Sequence, residues 1–341
     1  MADRENGLME RMIIDCEKIA GFIINFIREK VKEQKKDGIL LGLSGGVDSA
    51  TMATLAAFAI GPKKVWAFYL PDRDSEIKFL RRAQKIVDKL GANFKLRNIT
   101  KTVRQEDIYK SLMMRLAPLS RILNKLMIFI SNRLIYPLFF KESGFVLALK
   151  QGEPAKNRIK KIINNTLAAA VDKSFTVRHI QRRKILEKFA EENNLLLIGA
   201  ANRSESFVGW FVKDGVDDLP LEPLLGLYKN QVQQLAKFLG VPAEIVEQPP
   251  SPDMLKGVGD EDIIGFPYEK IDKVAYILEH GLNHELALND GVSPREFDGI
   301  KKLHQLSAWK RNNNYEFPNV EAGSELIDPA FCFRIKMVWI F

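Results

Sequence analysis

The chain has 341 residues, 46% hydrophobic and 28% charged, enough for one large domain or a domain with a substantial appendage. Its formal net charge of +8 suits an anionic partner, whether nucleotide phosphates, nucleic acid or an acidic membrane surface. Cys16 and Cys332 lie at opposite ends without a CxxC pair, which argues against a disulfide framework or a structural zinc site, and MADRENGLMERM lacks the pattern of a secretory signal, so the expected location is cytoplasmic.

Residues 8–36 carry Ile13, Ile14, Cys16, Ile19, Ile23, Ile24, Phe26 and Ile27 at helical spacing and close on KEQKKDG. This predicts an amphipathic helix, an N-terminal segment over 1–38, with cations at the end its dipole favours. The apolar run 39–43 predicts a buried strand and the alanine-rich 49–60 a helix. A strand over 65–70, a helix over 74–90 and a strand over 93–99 follow, and a long helix beginning near 177 leads to a strand over 195–201. Strands alternating with longer helices predict an α/β fold, a parallel twisted sheet with helices on both faces. Ligands on such sheets sit beyond the carboxyl ends of the strands.

The stretch 101–170 breaks that rhythm. Between about 107 and 150 it is rich in Leu, Ile, Met and Phe, but Arg115, Arg121, Lys125 and Arg133 interrupt it, and no unbroken apolar run reaches the roughly 18 to 20 residues of a spanning helix. The expectation is a helical, apolar and basic insertion packed on the core or on another subunit. A basic amphipathic helix over 110–140 lying on an anionic membrane surface is the alternative. Lys156, Arg158, Lys160 and Lys161 follow the apolar part and suit a lid, a dimer element or a docking surface.

SGGVDS, residues 44–49, falls between the first strand and the helix after it. A strand, a glycine turn and a helix N-terminus form an anion site, because bare backbone lets N–H groups approach phosphate oxygens and the dipole favours negative charge. Gly45 and Gly46 supply that backbone, and the hydroxyls of Ser44 and Ser49 add donors. Asp48 would repel a phosphate unless a cation sits between them, and Mg²⁺ takes oxygen ligands from both. The four histidines, 179, 280, 284 and 304, show no metal-ligand spacing.

SGGVDS resembles the pyrophosphate loop of the N-type ATP pyrophosphatases, a family of adenine nucleotide α-hydrolase-like fold. LIGAANRSES (197–206), GWFVKDG (209–215), PLLGLYKNQVQQLAKFLGVP (223–242), QPPSPDM (248–254), GDEDIIGFPYEKID (259–272) and SAWKRNN (307–313) are similar, in order and spacing, to blocks of the NAD synthetases within it. The likeness covers about 40–100 and 175–313 and implies a synthetase-like domain over 39–313, interrupted at about 101–170, with a C-terminal tail over 314–341.

That resemblance implies a ligase that amidates deamido-NAD to NAD with ammonia, through an acyl adenylate and with release of AMP and pyrophosphate. It puts Asp48 and Glu205 on the family's Mg²⁺ ligands, and Ser44, Gly45, Gly46, Val47, Asp48, Ser49, Ser75, Lys229 and Ser251 on its ATP site. Asp48 and Lys229 become the catalytic pair. Arg182, Lys213, Asp217, Asp218 and Lys310 fall at the acceptor end. The resemblance also implies a homodimer whose substrates are deamido-NAD, ATP and ammonia, with no nucleic acid. Departures from the family pattern, Val216, Pro220, Gly259 and Trp309, all lie on the acceptor side. They leave open a paralogue of the same fold that adenylates a different carboxylate, and, in a different class, a basic RNA- or membrane-associated ATP-binding protein.

Overall fold

In the computed structural model, which describes residues 7–150, 163 and 166–320, four strands form one all-parallel sheet. They are β1 (Gly38–Gly42), β2 (Val65–Tyr69), β3 (Asn93–Leu96) and β4 (Leu195–Ile198), in the order β3-β2-β1-β4. Leu41 of β1 pairs with Ala67 on one side and Ile198 on the other. The central strands are apolar along their whole length because helices cover both faces.

Alternation along β1 decides which side chain meets which layer. Ile39 and Leu41 join a core with α1 (Cys16–Glu33), α2 (Val47–Ile60), α3 (Ile77–Leu90) and α8 (Lys229–Phe238), while Leu40 turns to the opposite face. There α6 (Ala168–Glu192) packs Leu186 and Phe189 against Phe68 and Leu195. Beyond its first turn, α2 is largely apolar and buried. Its two threonines stay inside because Thr51 donates to the Val47 carbonyl at 2.7 Å and Thr54 to that of Ala50 at 2.8 Å. A separate core joins α7 (Arg203–Val208), α9 (Tyr268–Glu279) and α10 (Pro294–Leu306) with α5 (Gly144–Leu149).

Several boundaries differ from the sequence reading for local reasons. The single N-terminal helix is divided into a turn, Leu8–Arg11, and α1, because the Asp15 side chain accepts from the Lys18 N–H and caps a new start. The helix expected from 74 begins at Ile77, since Asp72 and Asp74 are taken by Arg178 and the Glu76 N–H donates to Asp253 at 2.8 Å. The strand expected over 195–201 ends at Ile198, where the Gly199 N–H leaves the ladder for the Leu221 carbonyl. The long helix starts at Ala168, well before 177.

Within the expected insertion, α4 (Arg121–Phe140) is one continuous helix that passes through a π turn at Ser131–Ile135. Pro137 has no N–H and its ring crowds the carbonyl four residues back, and the wider turn just before it relieves both. By length and composition alone α4 is long and apolar enough to cross a membrane, despite Lys125 and Arg133, yet one flank is packed on the body. Ile128 joins Met113, Met114, Leu255 and Val258 in a small core. Cys332, Lys156, Arg158, Lys160 and Lys161, and the part of the tail over 321–341, lie outside the described residues.

Candidate active site

A cavity of about 520 Å³ opens at the carboxyl ends of β1, β2 and β4, where the direction of strand succession reverses across β1. Ser44, Gly46, Val47, Asp48 and Ser49 line one part of it. Gly45 lies behind with φ +79°, and a Cβ there would stand 2.4 Å from the Phe79 carbonyl oxygen, so the close approach of α3 requires glycine. Gln248 donates to the Gly45 carbonyl at 3.2 Å and itself accepts from Arg82, which fixes the turn from outside. Inside it, the Ser44 and Ser49 hydroxyls lie 3.0 Å apart, the Gly46 N–H donates to Ser44 Oγ, and Ser49 Oγ donates to the Gly46 carbonyl. Gly46 is the N-cap of α2, which begins two residues before the expected 49, and the first turn of that helix forms cavity wall.

Across from the turn, Lys229 Nζ lies 2.6 Å from Asp48 Oδ2 and 3.0 Å from Glu205 Oε1. Asp48 is at the start of α2, Glu205 in the first turn of α7 and Lys229 at the start of α8, so three helix N-termini converge. Asn202 joins two of them. It caps α7 reciprocally with Glu205, and its side-chain amide donates to Asp48 Oδ1 at 2.9 Å. Asp260 lies beside the group, buried, with one oxygen accepting from Tyr268 Oη and the other without a hydrogen bond among the described residues. Burial pushes the Glu205 carboxyl up against the pull of Lys229. Burial opposes the charge on Lys229, but Asp48 and Glu205 more than offset it, so the ammonium is held firmly. Two half-buried acids around one buried cation hold it as a set.

Ser75 and Ser251 also line the cavity, and both hydroxyls organise loops: Ser75 Oγ accepts from the Asp72 N–H at 3.2 Å, and Ser251 Oγ donates to the Val258 carbonyl at 3.0 Å. Arg182, on α6, donates to the Leu70 carbonyl at 3.1 Å and faces the same cavity. One turn earlier on that helix, Arg178 is fully buried, 2.7 Å from Asp72, paired with Asp74 and donating to the Met254 carbonyl at 2.8 Å.

At the far end, Lys213, Asp217 and Lys310 line the wall, but Asp218 does not. Asp218 is buried and accepts from the Asp214 N–H, the Asn313 amide and Tyr315 Oη, a knot that fixes the loop instead of facing the cavity. Asp217 lies 2.9 Å from His179 Nδ1. Burial lowers the Lys310 ammonium, which donates to the Gly209 and Phe211 carbonyls. Val216 and Trp309 are on the wall, Trp309 donating from Nε1 to the Leu149 carbonyl of α5 at 2.9 Å, whereas Pro220 is exposed and Gly259 caps the short helix Asp260–Ile264. Ile128, Tyr136, Phe145, Leu149, Phe175 and Trp210 make this end apolar.

Asn202, Asp260, Tyr268 and His179 were not among the site residues expected from the sequence. Asn202 was legible as the first residue of an N-x-x-E capping box. The others depend on long-range packing, and no local signal marks them.

The family model described as NAD synthase matches residues 19–115 and 153–314, leaving 116–152 between the two matched parts. The NH(3)-dependent NAD(+) synthetase of Thermotoga maritima is 31% identical over 291 residues, 85% of this chain and 96% of that protein. Among solved structures, the NMN synthetase of Francisella tularensis superposes with a TM-score of 0.62 at 22% identity, covering 88% of this chain and 97% of that one. The NH3-dependent NAD synthetase of Campylobacter jejuni gives 0.57 at 24% identity, over 87% and 96% of the two chains. At those identities the structural likeness speaks to the fold.

Proposed function

The chain belongs to the NAD synthase family, and on that premise we propose that it joins ammonia to deamido-NAD at the expense of ATP, giving NAD, AMP and pyrophosphate. One observation carries the reading: the Asp48–Lys229–Glu205 cluster faces a glycine turn at a helix N-terminus, on the wall of one cavity. Fixed N–H groups, a buried ammonium and paired carboxylates make a site for a polyphosphate with its counter-cation. Phosphate alone would be repelled by the two acids.

The donor set fits Mg²⁺. Both carboxylates are within reach of one point, which Lys229 now shares, and hard oxygen ligands are what that ion takes. Among the described residues no three His, Cys, Asp or Glu side chains gather as ligands of a metal, so Asp48 and Glu205 would hold part of a shell completed by phosphate oxygens and water. When bound, the ion neutralises phosphate charge.

A free carboxylate is a poor acyl donor because its leaving group would be oxide. In the proposed reaction a nicotinate carboxylate oxygen bonds to the α-phosphorus as the bond to the β-phosphate oxygen breaks. Ammonia then forms the C–N bond as the C–O bond to AMP breaks, releasing a proton. The chain's part is positioning and charge. Ser44 to Ser49 grip phosphate oxygens, with Ser75 and Ser251 alongside, and Lys229 meets the departing pyrophosphate. Arg182, Lys213, Asp217 and Lys310 orient the acceptor, and the active species is a homodimer.

The test is to incubate the chain with ATP, Mg²⁺, ammonium and deamido-NAD and measure NAD, AMP and pyrophosphate. NAD and pyrophosphate in equal amounts are expected, and ADP with orthophosphate would overturn the reading. Asp48→Asn should lower turnover by roughly 100-fold or more. A second reading is favoured by the apolar acceptor end, where Ile128, Tyr136, Phe145 and Leu149 belong to the stretch outside the family match. That reading is adenylation of another acid with an apolar body. Pyrophosphate released with such an acid, and no NAD from deamido-NAD, would select it.

A further inference from the structure

Large apolar side chains left exposed together on a water-soluble surface mark a contact. Among the described residues thirteen are conspicuously exposed, and eight of them lie between Leu119 and Phe139, on or just before α4. Ile122, Leu126, Phe129, Leu134 and Leu138 recur at intervals of three to five, which sets them along one flank of the helix. Ile122 is 81% exposed and Leu138 77%. None of these five lines the cavity.

The charge pattern over the same segment is one-sided. From 108 to 141 the chain carries Lys110, Arg115, Arg121, Lys125, Arg133 and Lys141 and no acidic residue. Arg121 pairs with Glu76 and Lys110 with Asp107, while Arg115, Lys125, Arg133 and Lys141 are exposed. The opposite flank of α4 is fastened to the body. Asn124 donates to the carbonyls of Ala117 and Lys256, Asn132 donates to that of Asp262, and Ile128 is buried.

We propose that the outer flank of α4 docks on an anionic phospholipid bilayer, the helix lying in the plane of the interface with its leucines and Phe129 in the acyl boundary. Exposed cations on an acid-free segment complement anionic headgroups, and long basic side chains reach outward to them while their stems stay apolar. Spanning is disfavoured, because it would pull the two asparagines from their partners and carry Lys125 and Arg133 into hydrocarbon. A second copy of the chain is a poorer occupant: pairing the same face about a two-fold axis would set these cations against one another with no acid between them. The exposed apolar residues of this surface all fall within 116–152, outside the family match.

Co-sedimentation of the full chain with vesicles tests this independently of the proposed ligase activity. Binding is expected to phosphatidylcholine vesicles containing phosphatidylglycerol, to fall with added salt, and to be slight on phosphatidylcholine alone. Leu126→Glu with Leu134→Glu should abolish it. Lys125→Ala with Arg133→Ala should weaken it by about 30-fold, at the usual contribution of a basic residue near an anionic surface. Thermal melting should show both variants folded. No binding by the native chain, equal binding to both vesicle types, or unaltered binding by the glutamate variant would each overturn the proposal. So would a dimer in sedimentation equilibrium that the glutamate variant splits, which would identify a second copy as the occupant.

Discussion

At the scale of single residues, what matters most is how few alternatives the loop positions allow. Gly45 combines φ +79° with a backbone oxygen 2.4 Å from where a Cβ would go. Gly45→Ala must both adopt an unfavourable conformation and push α3 away. It should cost roughly 1–3 kcal/mol, read as a lowered urea midpoint, and an unchanged midpoint would contradict the geometry. The sequence announced this position, because a glycine pair between an apolar run and a helix has few other uses. It also singled out Asp48, which the structure sets 2.6 Å from Lys229 on the cavity wall. It did not announce Asp260, which reaches the cluster through the packing of a distant loop, nor that Asp218, one residue from Asp217, faces away into a knot with Tyr315.

Among elements, the most telling contact is the one made by α6. Arg178 ties that helix to Asp72 and Asp74 after β2 and to Met254 in the loop bearing Ser251, and Arg73 reaches on to the Met114 carbonyl at 2.6 Å. One buried guanidinium thus holds the two loops that carry Ser75 and Ser251. Removing it strips the buried Asp72 of its cation and leaves Asp74 to Arg73 alone, so Arg178→Ala should destabilise by about 3–5 kcal/mol, again read from denaturant midpoints. If instead the loss is below about 1 kcal/mol, the network does not organise these loops. The sequence placed the helix but started it late, since the insertion's composition hides where α6 begins. HIQRRK pointed to Arg182, while Arg178, a turn away, carries the structural work.

For the molecule as a whole, burial of acids sets a pH dependence. Burial pushes Glu222 up to about 8, although the N–H groups of Ala201 and Leu219 donate to it, and pushes Asp253 and Asp272 up to about 7. Each keeps its proton in the fold at pH values where the unfolded chain has lost it. The unfolded state therefore binds fewer protons, and stability falls as pH rises from about 5 to 8, by up to roughly 1.4 kcal/mol per pH unit for each such group. Denaturant titrations across that range should show the decline, and Glu222→Gln should make it shallower. Stability that rises over the same range would refute the assignment.

The sequence by itself determined the alternation of strands and helices, the glycine turn after β1 and the ordered blocks that place the chain in its family, because these are local patterns that neighbours in sequence write together. Tertiary structure alone decided that Lys229 stands between Asp48 and Glu205, residues far apart along the chain. It also decided that α4 gives one flank to the cavity and another to solvent. Periodicity reports that a helix has an apolar side; what meets that side depends on where the rest of the chain packs.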